Sequence, residues 1–164
     1  MMICDTILHY LIINADFIYS LKFLGSIGML CIICGIYALL EQKEYAFVLI
    51  KNVCMSYGGS TIIKEYLHCP RPFVSDPSRL LVTTKDYLYA MGSFPSGHTA
   101  VVTAIFMTLF MWYRKKTKLA YLFLVPIIIV AFSRVFIGCH HMVDVVGGFL
   151  LGLAVVYFCT DEVL

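Results

Sequence analysis

Residues 97–137 read GHTAVVTAIFMTLFMWY, then RKKTK, then LAYLFLVPIIIVAFSRVFI. Each apolar run is close to the roughly 20 residues that carry a helix across the hydrocarbon of a bilayer. Between them Arg114, Lys115, Lys116 and Lys118 fall within five residues. Such a cluster is held on the cytoplasmic side by the positive-inside rule. This stretch predicts two crossings joined by an inward turn, with Pro126 expected to kink the second.

The rest of the chain agrees with a bilayer as its solvent. Of 164 residues, 61% are hydrophobic and 13% charged, against roughly 45–50% and 25% in soluble domains. A chain this short cannot bury that much apolar surface in water. A soluble enzyme, a disordered chain and a nucleic-acid module are therefore excluded, and a net charge of +2 calls for no polyanionic partner. Further runs at 23–40, 45–63 and 143–159 bring the expectation to five crossings. Gly148 and Gly152, four apart, suit the close approach of two membrane helices.

Residues 3–19 are apolar but broken by Asp5, His9, Asn14 and Asp16, so residues 1–20 are expected to lie in the interface as an amphipathic helix. The start, MMICD, lacks the basic start and cleavage site of a secretory signal, so no cleaved leader is expected. The predicted fold is all-α: one integral-membrane domain over 1–164, a polytopic bundle of five transmembrane helices plus that interfacial helix. The seven cysteines are odd in number, and Cys31-x-x-Cys34 sits inside an apolar run, where it reads as membrane helix rather than redox site.

Ionisable groups at span ends carry most of the information, because each costs free energy there unless paired or hydrated. Lys64, Arg71, His98, Arg134, His140 and Asp144 all fall at or just beyond the outward ends of spans two to five. Singly, Lys64 reads as a snorkelling lysine and Arg134 as a helix-end anchor. Together, three permanent cations on one rim with a single carboxylate call for an anion between them, and phosphate is the economical one. Pro70 and Pro72 end the second helix so that Arg71 folds back toward Lys64. Ser96-Gly97-His98 opens the third helix, whose unpaired N–H groups attract an anion and where Gly97 allows close approach. His140 and Asp144, four apart, share a helix face, so the carboxylate can hold the imidazole in one tautomer.

The patterns Lys64-EYLHCP-Arg71-Pro72, Pro95-Ser96-Gly97-His98 and Ser133-Arg134-VFIGC-His140-HMV-Asp144 resemble, in order and spacing, the three signature motifs of the type 2 phosphatidic acid phosphatase superfamily. The resemblance covers residues 64–144 and implies a membrane lipid phosphate phosphatase. It further implies that His140 is the nucleophile, forming a phosphohistidine, with Asp144 orienting it and His98 as general acid and then base. Lys64, Arg71, Arg134, Ser96 and Gly97 would bind the phosphoryl oxygens. Undecaprenyl pyrophosphate, phosphatidylglycerophosphate, phosphatidate and lipid A phosphates all fit as substrates. A phosphotransferase passing the phosphoryl group to an alcohol or lipid acceptor is the alternative.

The same reading expects a bacterial plasma membrane with the site facing the periplasm or exterior, no cofactor, a phospholipid or polyprenyl phosphate substrate and the bilayer as partners, and no nucleic acid. A disulfide between Cys69 and Cys139, which flank Arg71 and His140, is a further expectation on an oxidising face. With three fixed cations and no carboxylate or Cys/His cluster resembling a metal site, a divalent ion has no necessary role. Phosphate release should therefore survive EDTA and be inhibited by vanadate. Strict Mg²⁺ dependence would contradict this electrostatic scheme.

Overall fold

A computed structural model describes residues 15–40, 42–79 and 91–160. The first fourteen residues of the expected interfacial helix lie outside them. The chain forms α1 (Ala15–Ser20), a 3₁₀ turn (Leu21–Gly25), α2 (Ile27–Leu39), α3 (Lys43–Leu67), α4 (Pro72–Ser75), a 3₁₀ turn (Pro77–Arg79), α5 (Gly97–Tyr113), a 3₁₀ segment (Lys118–Phe123), α6 (Leu124–Phe136) and α7 (Met142–Cys159). The fold is all-α. Among the described residues the extended pairing is one isolated antiparallel bridge, Pro70 with Met91.

By length and apolarity Lys43–Ser75, Lys118–Phe136 and Met142–Cys159 can each cross a membrane. Phe17–Gly25 and Gly28–Tyr37, bent by 46° at their break, add a fourth if they act as one span. Gly97–Tyr113 is apolar but has 17 residues, the lower end of what a crossing needs.

α5 is the centre of the bundle. Twelve of its seventeen residues are buried, and it packs against α3, α6, α7 and the Leu21–Gly25 turn. The α5–α7 contact is backbone on backbone. A methyl group added at Gly148 would lie 2.4 Å from the Ser96 carbonyl oxygen, and one at Gly152 would lie 2.6 Å from that of Ala100. Leu49, Val102, Ile105, Val130 and Val156 are buried in the apolar core. Within it one amide nitrogen ties three elements together: Asn52 Nδ2 donates to Thr108 Oγ1 at 2.9 Å and Thr160 Oγ1 at 3.1 Å. Side-chain hydrogen bonds of this kind hold membrane helices in register. Tyr37, Tyr45 and Trp112 pack together at the C-terminal end of α5, with Tyr45 edge-on to Trp112 at 4.6 Å.

Two expectations change. The first span does not run unbroken from Phe23. Gly25 lies against the start of α5, where a methyl group would come 2.6 Å from the His98 carbonyl oxygen, and the helix restarts after Ser26. Ser26 has extended backbone, accepts from the Met29 N–H on its hydroxyl and from the Leu30 N–H on its carbonyl, and so caps α2. At Pro126 the change is one of helix type. The 3₁₀ segment ends at Phe123, which places Pro126 in the first turn of α6, where a missing N–H leaves no bond unmade.

Gly152→Val should force α7 off α5, because overpacking of this kind costs about 1–3 kcal/mol. The detergent-solubilised variant should lose at least about 2 °C in its unfolding midpoint. Gly35→Ala, whose added methyl meets nothing within 4 Å, should change it little. Equal midpoints for Gly152→Val and the parent would contradict the packing.

Candidate active site

Each candidate side chain is delivered by a local feature of the backbone. α3 ends where His68 turns left-handed at φ 48° and its N–H closes on the Lys64 carbonyl, which leaves Lys64 in the last turn. The chain reverses through the Pro70–Met91 bridge, and Arg71, with Pro72 following at the first helical position, stands at the start of α4. Ser96 caps α5, so Gly97 and His98 occupy its first turn. Arg134 lies in the last turn of α6. Beyond it Gly138, at φ 79°, lets the chain turn, and the His140 N–H returns to the Arg134 carbonyl at 3.2 Å. A backbone bond from the Ser96 N–H to the Asp144 carbonyl, 2.8 Å, ties the start of α5 to the start of α7.

Lys64, Arg71, Gly97, His98, Arg134 and His140 line one end of a single cavity of about 670 Å³. Gly28, Leu30, Val53, Tyr57 and Val101 line the remainder, an apolar extension of the polar end. A methyl at Gly97 would sit 3.4 Å from Lys64 Nζ, so the α5 terminus and the ammonium face one space. Arg71, Arg134 and His140 are nearly inaccessible, at 8%, 1% and 3% exposure. The structure thus brings all three cations and both histidines to one cavity.

Asp144 stands behind His140 rather than in the cavity. Its Oδ2 lies 3.4 Å from His140 Nδ1, accepts from the Ser93 hydroxyl at 2.5 Å and accepts from the His141 N–H at 2.7 Å. Ser96, expected among the phosphate contacts, sits at the start of α5. It is fully buried and does not line the cavity, and its Oγ accepts from the Thr99 hydroxyl at 3.0 Å and the Thr99 N–H at 3.5 Å. The hydroxyl is the helix cap. His141 turns away from the cavity, half-exposed beside Asp144, and lines a separate space of about 300 Å³ with Arg79. Cys69 and Cys139 are not joined by a disulfide.

Burial pushes the His140 imidazole well below its ordinary range, to about 4. The Asp144 contact opposes that shift, and the nearby Arg71, Arg134 and Lys64 add to it. A neutral, oriented imidazole facing three cations can attack an electron-poor centre carried by an anion. Two residues escaped the sequence reading. Ser60, buried one helical turn before Lys64, would lie 3.4 Å from a methyl at Gly97. The i, i+4 recurrence of Asn52, Ser56, Ser60 and Lys64 could have found it. Ser93 had no such signal.

Residues 45–162 match the profile of the PAP2 superfamily. Over 129 residues the chain is 25% identical to YbjG of Escherichia coli K12, provisionally named an undecaprenyl-diphosphatase. That alignment covers 77% of this chain and 61% of the relative's length. Among solved structures, Aquifex aeolicus LpxE matches with a TM-score of 0.75 at 21% identity, covering 91% of this chain and 86% of that one. A transmembrane PAP2-type phosphatidylglycerolphosphate phosphatase from Bacillus subtilis matches with a TM-score of 0.73 at 22% identity, covering 90% and 75%.

With ¹⁵N-labelled histidine in the substrate-free protein, the His140 ring should stay neutral as the pH falls from 7 to about 5 and gain its proton only near pH 4. Asp144→Asn removes the one contact that favours the charged ring, so it should lower the midpoint further. Titration of His140 near the ordinary value of about 6.5 would contradict this account.

Proposed function

The chain belongs to the PAP2 superfamily, and on that premise we propose that it is an integral-membrane hydrolase that removes phosphate from a lipid phosphate or diphosphate through a phosphohistidine at His140. One observation carries the reading: Lys64, Arg71, Arg134, His98 and His140 share a cavity whose other end is apolar. A phosphoryl group suits the first end and a hydrocarbon chain the second. The E. coli relative is provisionally named for undecaprenyl diphosphate and the B. subtilis structure for phosphatidylglycerolphosphate. Both names support a lipid carrying a terminal phosphate.

In the proposed reaction Lys64, Arg71, Arg134 and the Gly97 N–H hold the non-bridging oxygens, while Ser96 keeps that N–H aimed by capping α5. Neutral His140 attacks phosphorus through Nε2 as the bond to the leaving oxygen breaks, and His98 protonates that oxygen. Water then replaces the lipid. His98 takes a proton from it, the P–N bond breaks, and inorganic phosphate forms. Phosphate-ester hydrolysis is among the slowest reactions in water, and preorganised cations supply the charge stabilisation that it needs.

The chain is read as one domain with five crossings. α5 is counted as one of them because twelve of its seventeen residues are buried among its neighbours, and about 17 residues suffices when the polar ends reach the interface. The cluster from Arg114 to Lys118 supports an inward-facing turn. That puts the cavity on the outward face of what we read as a bacterial plasma membrane.

The purified protein, given phosphatidate, phosphatidylglycerophosphate, undecaprenyl diphosphate and lipid A, should release inorganic phosphate from at least one of them. His140→Ala should lower that rate at least about 1,000-fold, and His98→Ala about 100- to 10,000-fold. Phosphorylated acceptor in place of free phosphate would identify a phosphotransferase, and normal turnover by His140→Ala would end the phosphohistidine reading.

A further inference from the structure

We propose that Ser93 is a positioning residue of this reaction, the third member of a hydrogen-bonded set with Asp144 and His140; the proposal rests on His140 being the nucleophile. Ser93 is fully buried and touches two distant parts of the chain, Cys69 and the His140–Asp144 segment. Its N–H donates to the Cys69 carbonyl at 2.9 Å. Its hydroxyl donates to Asp144 Oδ2 at 2.5 Å, and the same oxygen lies 3.5 Å from His140 Nδ1.

A serine hydroxyl has one proton to give and two lone pairs with which to accept. The ionised carboxylate of Asp144 can only accept, so the serine proton is committed to it. Ser93 therefore faces His140 Nδ1 with a lone pair. Asp144 Oδ2, 3.4 Å from the same nitrogen, faces it with another. Two acceptors at one ring nitrogen place the proton of the neutral imidazole on Nδ1 and leave the lone pair on Nε2, on the side toward the phosphoryl group. With a single acceptor the preference is weaker and the ring less constrained.

Ser93 also fixes the carboxylate. Asp144 Oδ2 takes one bond from the Ser93 hydroxyl and one from the His141 N–H, so it is gripped from the loop before α5 and from the start of α7. As Nε2 bonds to phosphorus and the lipid oxygen leaves with the electron pair and a proton from His98, positive charge develops on the ring. The carboxylate that stabilises that charge must not rotate away. Because Ser93 also holds the Cys69 carbonyl, the pair is braced to the segment that presents Arg71. The residue acts through Asp144 and His140 and has no contact with substrate in this scheme.

Two measurements test the assignment. In the parent protein, ¹⁵N spectra of His140 above pH 5 should place its proton on Nδ1. Ser93→Ala should lower kcat roughly 10- to 100-fold, the loss expected for one charge-assisted hydrogen bond, with KM changed less than about threefold. It should also shift His140 toward a mixture of tautomers. Ser93→Cys, close in shape but a weak donor, should lie between Ala and the parent and covers the case in which the alanine variant fails to fold. A parent His140 with its proton on Nε2, or a folded Ser93→Ala with kcat within twofold of the parent, overturns the proposal. Normal activity in His140→Ala would instead overturn the phosphohistidine reading on which it rests.

Discussion

Lys64, Arg71 and Arg134 converge on one cavity at the end of a bundle that otherwise consists largely of hydrocarbon. Like charges repel strongly where water is scarce, and Asp144 lies beside His140 rather than among the residues that line the cavity. An arrangement of this kind is tolerated when the surrounding structure over-determines it and an anion relieves it. Burial does most to keep His140 neutral, and the same three charges add to it.

The bundle holds those charges together with little side-chain material. α7 lies directly on the α5 backbone through Gly148 and Gly152. The Ser96 N–H bonds the Asp144 carbonyl, the Ser93 N–H bonds the Cys69 carbonyl, and the His140 N–H bonds the Arg134 carbonyl. Each of these bonds joins segments that carry a different part of the site, or closes the turn that presents one. Side chains placed this way depend on backbone geometry rather than on flexible packing, which keeps reacting groups within narrow tolerances. Asn52 performs a related task toward the opposite end of the bundle, linking α3, α5 and the end of α7.

Much of the site was legible in the sequence because an ionisable residue beside a membrane span is costly and seldom incidental. Lys64, Arg71, His98, Arg134 and His140 each stood out by that test, and all five line the cavity. Ser96 and Ser93 did not submit to it. A serine is inexpensive almost anywhere, and its role depends on what lies across from it. Ser96 spends its oxygen on the Thr99 cap, while Ser93 meets an aspartate 51 positions away. The break before α2 was hidden for the same reason, since Gly25 turns there against a carbonyl of α5.

The amino-acid order by itself pointed to a bilayer as the solvent, to the helical class and to the ionisable side chains that line one cavity. Apolar run length, proline position and charge cost act locally, and each can be read within about twenty residues. Only the tertiary structure decided which hydroxyl caps a helix and which grips a carboxylate, where the first helix breaks, and which way His141 points. Those outcomes turn on distances of two to four ångströms between residues far apart in the chain, and such distances exist only once the helices have packed.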